Sequence, residues 1–481
     1  MSRLEKPFIK LFHTPNTGYF YDVGKNEIIR IPENIYLHLS EVMNGSAVLD
    51  QSDDEEVLEM IESFKELGYL SSNRPKHIKH PATEMVALYQ ERCIDKVTLQ
   101  LTQDCNFRCK YCIYSEEINL KQRSHSHKMM SFDTAKKAIM FYRDHALDSN
   151  MYSVGLYGGE PLMQWNLLQE IVLFTERALE GKLLTLSLTT NASLMTEQMA
   201  TFLEDHNISV TISLDGIKAV NDANRVFLDG RGSYDVVVRK IQMIKENFPH
   251  LFEKLRISSV IDPELDVTAF GLYPRELDGI PTSNYSISLE ENTEQVTVIS
   301  RDLYKAMQND VFLAYLAEIG VYTSRVSPYG LSQIKSVQSD MESIKPTNGI
   351  QNIMSSGGQC IPGKSRLFVT VDGRLYPCER VNESESNCIG DLDNGFNVDR
   401  AKQMLNIGSI TEKKCQNCWA IRNCTLCCKY FDYSSEDAVE EKTKYCDTVK
   451  KSVFDKMRGM ILLNEIEKYY RIPLKRGGLY E

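Results

Sequence analysis

The hydrophobic rhythm of the chain changes twice. Over residues 1–80 three short runs, Phe8–His13, Tyr19–Val23 and Ile28–Ile31, read as strands, with turn signals at Asn16-Thr17-Gly18 and Gly24-Lys25-Asn26. Two amphipathic helices are predicted after them. In the first, Pro32 takes a first-turn position and Tyr36, Leu39, Val42 and Met43 share a face. In the second, Val57, Ile61, Phe64 and Leu67 recur at helical spacing. Residues 71–95 open Lys-, His- and Pro-rich and read as a linker. The expected division is a small α+β domain over 1–80, joined by 81–95 to the rest of the chain.

From Val97 strands and helices alternate. The predicted strands are Val97–Leu101, Ser153–Tyr157, Leu184–Thr189, Ile208–Leu214 and Leu255–Ile261. Between them lie predicted helices Ser131–Ala146, with Ser131 as N-cap, Trp165–Leu179, Thr196–His206 and Tyr234–Asn247. Such repeats imply an α/β fold with a parallel sheet, open or curled into a barrel, here over 96–310. Chemistry then belongs at the C-terminal ends of the strands. One further helical stretch, near Leu303–Leu316, leads into an expected helical bridge over 311–354. Segment 355–450 holds too many Gly, Asn and Cys for a large apolar core, so metal is expected to hold it together. Residues 451–481 read as a C-terminal helix and tail.

Composition adds bounds. The 481 residues, 42% hydrophobic and 25% charged, suit a soluble protein of about three domains. The Met1–Asn16 stretch lacks a signal-peptide pattern, and the longest apolar run, Val311–Ala317, is far below the roughly 20 residues that span a bilayer. The expectation is a cytoplasmic protein without a membrane partner. A net charge of −11 argues against a nucleic-acid partner.

Thirteen cysteines are too dilute for a disulfide scaffold. Their positions matter more. Cys93 stands near Cys105, Cys109 and Cys112, and the other nine fall between Cys360 and Cys446, which reads as two metal regions. Cys105-x3-Cys109-x2-Cys112 comes after the first strand of the alternating series. Three thiolates on one tight loop suit a [4Fe–4S] cluster with one iron left open. A structural zinc site is the alternative, with His125 or His127 as the fourth ligand.

At this point the sequence resembles the radical S-adenosylmethionine (SAM) enzymes, whose hallmark is Cys-x3-Cys-x-aromatic-Cys after the first strand of a partial (β/α)6 barrel. Tyr111 fills the aromatic place. Gly158-Gly159-Glu160-Pro161 resembles the family motif for the methionyl amino group. Thr189-Thr190-Asn191 and Ser213-Leu214-Asp215-Gly216 stand where the family contacts the SAM ribose and carboxylate. The resemblance makes Cys105, Cys109 and Cys112 the cluster ligands, and implies cleavage of SAM to a 5′-deoxyadenosyl radical. Glu160 has an alternative as a solvated loop carboxylate. Arg225 and Arg239 are candidates for the SAM carboxylate, each with an ordinary surface arginine as the alternative.

The second region, Cys360-x12-Gly373-x4-Cys378 and then Cys415-x2-Cys418-x5-Cys424-x3-Cys428 with Cys446, resembles the SPASM extension of radical SAM enzymes. Gly373 permits a tight hairpin between two short strands. The resemblance implies two auxiliary clusters, hence three [4Fe–4S] clusters in all. Cys360, Cys378 and Cys428 would serve the first, with Cys388 or an open position completing it. Cys415, Cys418, Cys424 and Cys446 would serve the second. Cys427 is an alternative to Cys428, Cys93 reads as a buried core thiol, and a zinc ribbon over Cys415–Cys428 is the metal alternative. Glu379 stands where sulfatase maturases carry an Asp base, with a surface carboxylate as the alternative.

Three strands and then helices before such a core resemble the winged-helix peptide-recognition domain of ribosomal-peptide maturases. These add a leader peptide as an extra strand, here along Glu27–Ile31 beside the Val57–Leu67 helix. A DNA-binding winged helix is the alternative; nine basic against thirteen acidic side chains over 1–80 disfavour it. The most specific resemblance, including the His13-Thr14-Pro15-Asn16 opening, is to sactipeptide and ranthipeptide maturases of the freyrasin type. It implies thioether formation between a Cys sulfur and a carbon of another residue in a precursor peptide. An electron donor such as flavodoxin or ferredoxin is implied as a second partner. Other SPASM modifications, or a non-catalytic iron–sulfur peptide-binding protein, are the alternatives.

Overall fold

The computed structural model describes residues 6–112, 114, 125–261, 272, 277–286 and 300–470. At the N-terminus β1 (Ile9–His13), β2 (Gly18–Asp22) and β3 (Glu27–Ile31) form an antiparallel sheet in that order. The central strand β2 is buried along its whole length because both faces are covered. Phe20 packs with Ile9 and Ile31 against α1 (Glu33–Asn44) and α2 (Glu55–Glu66), while Tyr19 and Tyr21 face the C-terminal helices. A side chain at Gly18 would lie 2.5 Å from Tyr36 Cβ, so glycine lets α1 close on the sheet. Leu67, expected on the buried face of α2, is instead exposed just past its end.

The expected linker is partly ordered structure. After β4 (His77–Ile78) comes α3 (Val86–Arg92), which buries Val86 and Gln90; Ile94 is also buried. The polar start of the stretch hid a helix too short to show two turns of periodicity. Cys93 caps this helix half-buried beside Asp148 rather than in the core.

Then β5 (Val97–Thr102), α4 (Phe132–His145), β6 (Met151–Gly158), α5 (Trp165–Ala178), β7 (Leu183–Thr190), α6 (Glu197–Asp205) and β8 (Ser209–Ser213) alternate. They continue through α7 (Lys218–Asn224), α8 (Tyr234–Asn247), α9 (Pro249–Glu253), β9 (Leu255–Ile261) and β10 (Thr282–Ser286). Strands β5 to β10 are parallel and adjacent in sequence order. Right-handed crossovers in one direction put the helices on one face of the sheet. Val97, Leu99, Leu101, Leu186, Leu188, Val210 and Ile212 pack on that side with Ile139, Ile171 and Ile241. The alternate positions, Ser187, Thr189, Thr211 and Ser213, are small, polar and only half-buried, so the opposite face stays open to other groups.

Two helices come next, α10 (Arg301–Glu318) and α11 (Pro328–Ser343), and the second buries Ile334 and Val337, three residues apart on one face. After them β11 (Ile353–Met354) pairs with β4. The short strands β12 (Leu367–Val369), β13 (Arg374–Tyr376), β14 (Gly390–Asp391) and β15 (Gly395–Phe396) extend the main sheet beyond β5. Gly373, at φ +79°, turns β12 into β13. After α12 (Val398–Leu405) and α13 (Glu412–Gln416), the long α14 (Ala438–Tyr470) crosses beneath the N-terminal sheet. It starts well before residue 451, where a C-terminal helix was expected, and the tail from 471 lies outside the described residues. Glu465, buried on α14, accepts from Thr14 Oγ1 and Tyr19 Oη at 2.8 Å each and from Asn16 Nδ2 at 3.4 Å. Among the described residues no helix is long and apolar enough to cross a membrane.

Candidate active site

The carboxyl ends of β5 to β8 meet a loop carrying Cys105, Cys109 and Cys112. Two glycines allow the meeting. A Cβ on Gly158, at φ +147°, would lie 2.4 Å from Thr102 O, and one on Gly159 would lie 2.1 Å from Asp104 O. These are backbone contacts, which cannot be relieved by turning a side chain. With glycine there, Gly159 N donates to Thr102 O at 2.8 Å and Glu160 N to Asp104 O at 2.9 Å. On its other side the loop is tied to the end of α7 and the segment after it. Arg108 N donates to Val226 O at 2.8 Å and Lys110 N to Asn224 O at 3.0 Å.

Glu160 is fully buried, against the solvated alternative. Its Oε1 accepts from Leu162 N at 2.9 Å and Thr190 Oγ1 at 2.6 Å, and its Oε2 from Asn191 N at 2.7 Å. It thereby joins the ends of β6 and β7, and Pro161 begins the short turn that it caps. Burial pushes its carboxyl above the usual range, while these three bonds pull it down. Asn191 Nδ2 reaches Asn106 Oδ1 at 2.9 Å and stands 3.9 Å from Cys105 Sγ.

Asp215 comes after β8, whose last residue is the half-buried Ser213. Its Oδ1 accepts from Val260 N at 2.9 Å, and its Oδ2 from Tyr111 Oη and from Arg225 Nε at 3.1 Å. Arg225 is therefore no surface arginine. It is buried, its guanidinium lies 5.4 Å from the Tyr111 ring centre, and Nη1 stands 3.8 Å from Cys109 Sγ. Burial opposes its charge, but Asp215, Tyr111 and Cys109 together hold it protonated. Arg239 is exposed, with Nε on its own helix at Asp235 O, 3.1 Å away.

Burial, then Glu160 and the other two thiols, push Cys105 well up; burial pushes Cys109 up to about 12. In so dry a place burial disfavours the thiolates of Cys105 and Cys109, whereas a soft metal centre would draw them out. A donor set of three thiols with a nearby buried carboxylate fits an iron–sulfur cluster with one open iron better than a hard cation. The zinc alternatives fare unequally. His125 Nε2 lies 3.9 Å from Cys112 Sγ, and burial pushes this imidazole down to about 4. His127 is exposed and bound to Asp104 at 3.0 Å. Among the described residues no three His, Cys, Asp or Glu side chains are grouped to hold a metal ion. A cluster core is wider than a single ion and takes its thiolates further apart.

Two more thiol groups form at the C-terminal side. Cys428 is pushed well up by burial and next by Cys427, Cys378 and Cys360. Cys388 instead donates to Gly390 O at 3.2 Å and packs with Phe368, Tyr376 and Val381, a cluster that also touches Cys378 and Cys428. In the other group, burial and then Cys418 and Cys415 push Cys424 up to about 11, and Cys446 stands close to Cys415. Glu379 is half-buried. Its Oε1 accepts from Arg366 Nη1 at 2.5 Å, while its buried Oε2 has no hydrogen-bond partner among the described residues.

A polar bridge between the two halves was not anticipated. Gln100, fully buried on the open face of β5, donates to Glu383 Oε1 at 2.7 Å and Tyr114 Oη at 3.0 Å, and accepts from Val371 N at 3.0 Å. Gln103 Nε2 reaches Glu383 Oε2 at 3.4 Å. The one signal was a glutamine inside the apolar run Val97–Thr102.

Residues 99–260 match the family model described as the radical SAM superfamily. Over 252 residues the chain is 25% identical to the radical SAM cyclopropyl synthase TigE of Paramaledivibacter caminithermalis, covering 50% of this chain and 51% of that one. Over 360 residues it is 22% identical to the cysteine-type anaerobic sulfatase-maturating enzyme of Clostridium perfringens, covering 72% and 91%. The chain spans about half the length of the first curated relatives it matches. The solved structure of native anSMEcpe with bound AdoMet matches with a TM-score of 0.56 at 19% identity, over 75% of this chain and 99% of that one. At that identity the likeness is one of fold.

Proposed function

We propose that this chain, whose residues 99–260 match the radical SAM superfamily, is a radical SAM maturase that forms thioether cross-links in a ribosomally made, Cys-containing precursor peptide. The observation that carries this reading is the meeting of Cys105, Cys109 and Cys112 with Glu160, Asn191 and Arg225 at the strand ends, in one chain with two further groups of thiols. Cys105, Cys109 and Cys112 would hold the catalytic cluster. Glu160 would receive the methionyl ammonium of SAM: a carboxylate has about four acceptor positions, and three are used. Asn191 and Arg225 would bind the carboxylate and ribose end, with Asp215 and Tyr111 orienting Arg225 and Ser213 and Thr190 framing the site.

Bound at these residues, SAM and its cluster would supply radical chemistry able to activate a C–H bond of the acceptor residue. The chain's own part is to exclude water and align the peptide on the half-buried Ser and Thr face of β7 and β8. Joining carbon to sulfur also releases the thiol proton and one electron. Cys360, Cys378 and Cys428 (or Cys427 in its place), with Cys388 or an open position, and Cys415, Cys418, Cys424 and Cys446 would hold two auxiliary [4Fe–4S] clusters of a SPASM domain, which would supply an acceptor for that electron. The three-stranded sheet fits a winged-helix peptide-recognition domain, because β3 pairs only with β2 among the described residues and offers an edge for a leader. A donor such as flavodoxin or ferredoxin would reduce the catalytic cluster.

The test is co-expression with a small Cys-rich peptide encoded beside the gene, then intact mass after reduction and thiol alkylation. Loss of hydrogen pairs with cysteines that resist alkylation is expected. An unchanged peptide, with SAM still cleaved, would refute thioether formation on that substrate and favour another SPASM modification. No 5′-deoxyadenosine from the wild type would refute the enzyme reading.

A further inference from the structure

Lys442 is almost completely buried, yet no carboxylate pairs with it among the described residues. Its Nζ donates to Thr411 Oγ1 at 2.5 Å and Ile407 O at 2.9 Å, and its third direction points to Cys415 Sγ at 3.6 Å. An ammonium removed from water among neutral acceptors is destabilised unless a negative charge answers it. The group in reach able to carry that charge is Cys415. Thr411 Oγ1 also lies 3.3 Å from the same sulfur, so lysine and threonine both face it.

Helix geometry extends the contact. Cys446 stands four residues after Lys442 on α14, which puts thiol and ammonium on one face. Cys446 Sγ lies 3.7 Å from the Lys442 carbonyl. The exposed Lys414 and half-buried Lys450 add positive charge from outside, but each has another partner, Thr443 and Asp447 respectively. Of these three lysines, Lys442 alone is sealed inside with the sulfurs.

We propose that Lys442 is the buried counter-charge of the Cys415, Cys418, Cys424 and Cys446 site, and that it sets the reduction potential of the iron–sulfur cluster held there. The inference rests on the reading of those four cysteines as a cluster site. Four thiolates around an iron–sulfur core leave it net negative, and each electron gained adds one negative charge. A fixed cation with an N–H bond to one sulfur therefore stabilises the reduced form more than the oxidised one and raises the potential. Lys442 is a positioning residue acting through Cys415.

The test uses the full chain, reconstituted anaerobically, as wild type, Lys442→Met and Lys442→Arg. Iron and sulfide content and a potentiometric titration followed by electron paramagnetic resonance are the readouts. Wild type should hold about twelve irons per chain. K442M should keep that iron while one cluster couple moves to more negative potential, and K442R should stay near wild type. K442M losing about four irons that K442R retains would also support the counter-charge. Full iron with unshifted couples in K442M would overturn the inference, as would equal iron loss in both variants. A wild type with too little iron for this cluster would instead overturn the reading of the cysteine site, and the inference with it.

Discussion

Replacing Glu160 by Gln tests whether this buried carboxylate serves SAM or only the fold. The change preserves shape but removes the charge and one acceptor oxygen. The glutamine carbonyl can keep the two donors on Oε1, Leu162 N and Thr190 Oγ1. Its NH2 then faces Asn191 N, where a 2.7 Å bond existed and two donors now meet. Leaving a buried donor unpaired costs about 1–3 kcal/mol of stability. The loss toward SAM is separate. The acceptor position left on the carboxylate would take a charge-assisted bond from the ammonium, worth about 1.5–3 kcal/mol, or roughly a 10- to 150-fold rise in Kd. Equilibrium dialysis with labelled SAM on reconstituted E160Q, at iron content equal to wild type, measures it. A Kd within about threefold of wild type, accompanied by lower stability, would refute the ligand role and leave Glu160 as a clamp between β6 and β7.

Other expectations come from the same geometry. Asp215→Asn should destabilise the protein by about 3–5 kcal/mol, because Arg225 is left buried without its partner; Asp215→Asn with Arg225→Met should recover much of that in urea denaturation, and additive losses would deny the coupling. Glu465→Ala should loosen the N-terminal sheet from α14 by about 2 kcal/mol or more, read as faster proteolysis within residues 71–76 while α4 and α5 keep their hydrogen-exchange protection. Lys96 is pushed below its ordinary value by burial. The unfolded chain therefore binds more protons than the folded one between that lowered value and about 10.5, and stability should rise with pH across that window; Lys96→Met should flatten the rise in urea midpoints.

Much of the fold was legible because its determinants are local. The predicted strand Leu255–Ile261 and helix Tyr234–Asn247 form over those residues, since alternating or helically spaced aliphatic residues bury one face wherever they fold. Within the expected helical bridge the bounds of the helix over 328–343 were not legible, because Ile334 and Val337 mark its buried face but its start is fixed by docking on α10. Its N-cap Ser327 and Gly330 both bond to Asp310 of that neighbour. The three N-terminal strands were legible, but not the coverage of β2 on both faces, which requires α14 from the far end of the chain.

The site divides in the same way. The sequence by itself determined the thiol spacing Cys105-x3-Cys109-x2-Cys112 and the two glycines that must precede Glu160, since one fixes ligands on a short loop and the other a close backbone approach. Only the tertiary structure decided what surrounds them. Arg225 reaches Cys109 across 116 residues, and Glu383 reaches Gln100 across 283. Spacing carries no record of either, because a charge is drawn into the interior by whichever partner the packed elements bring to it. For Arg225 that partner is Asp215, and for Lys442 it is the sulfur of Cys415.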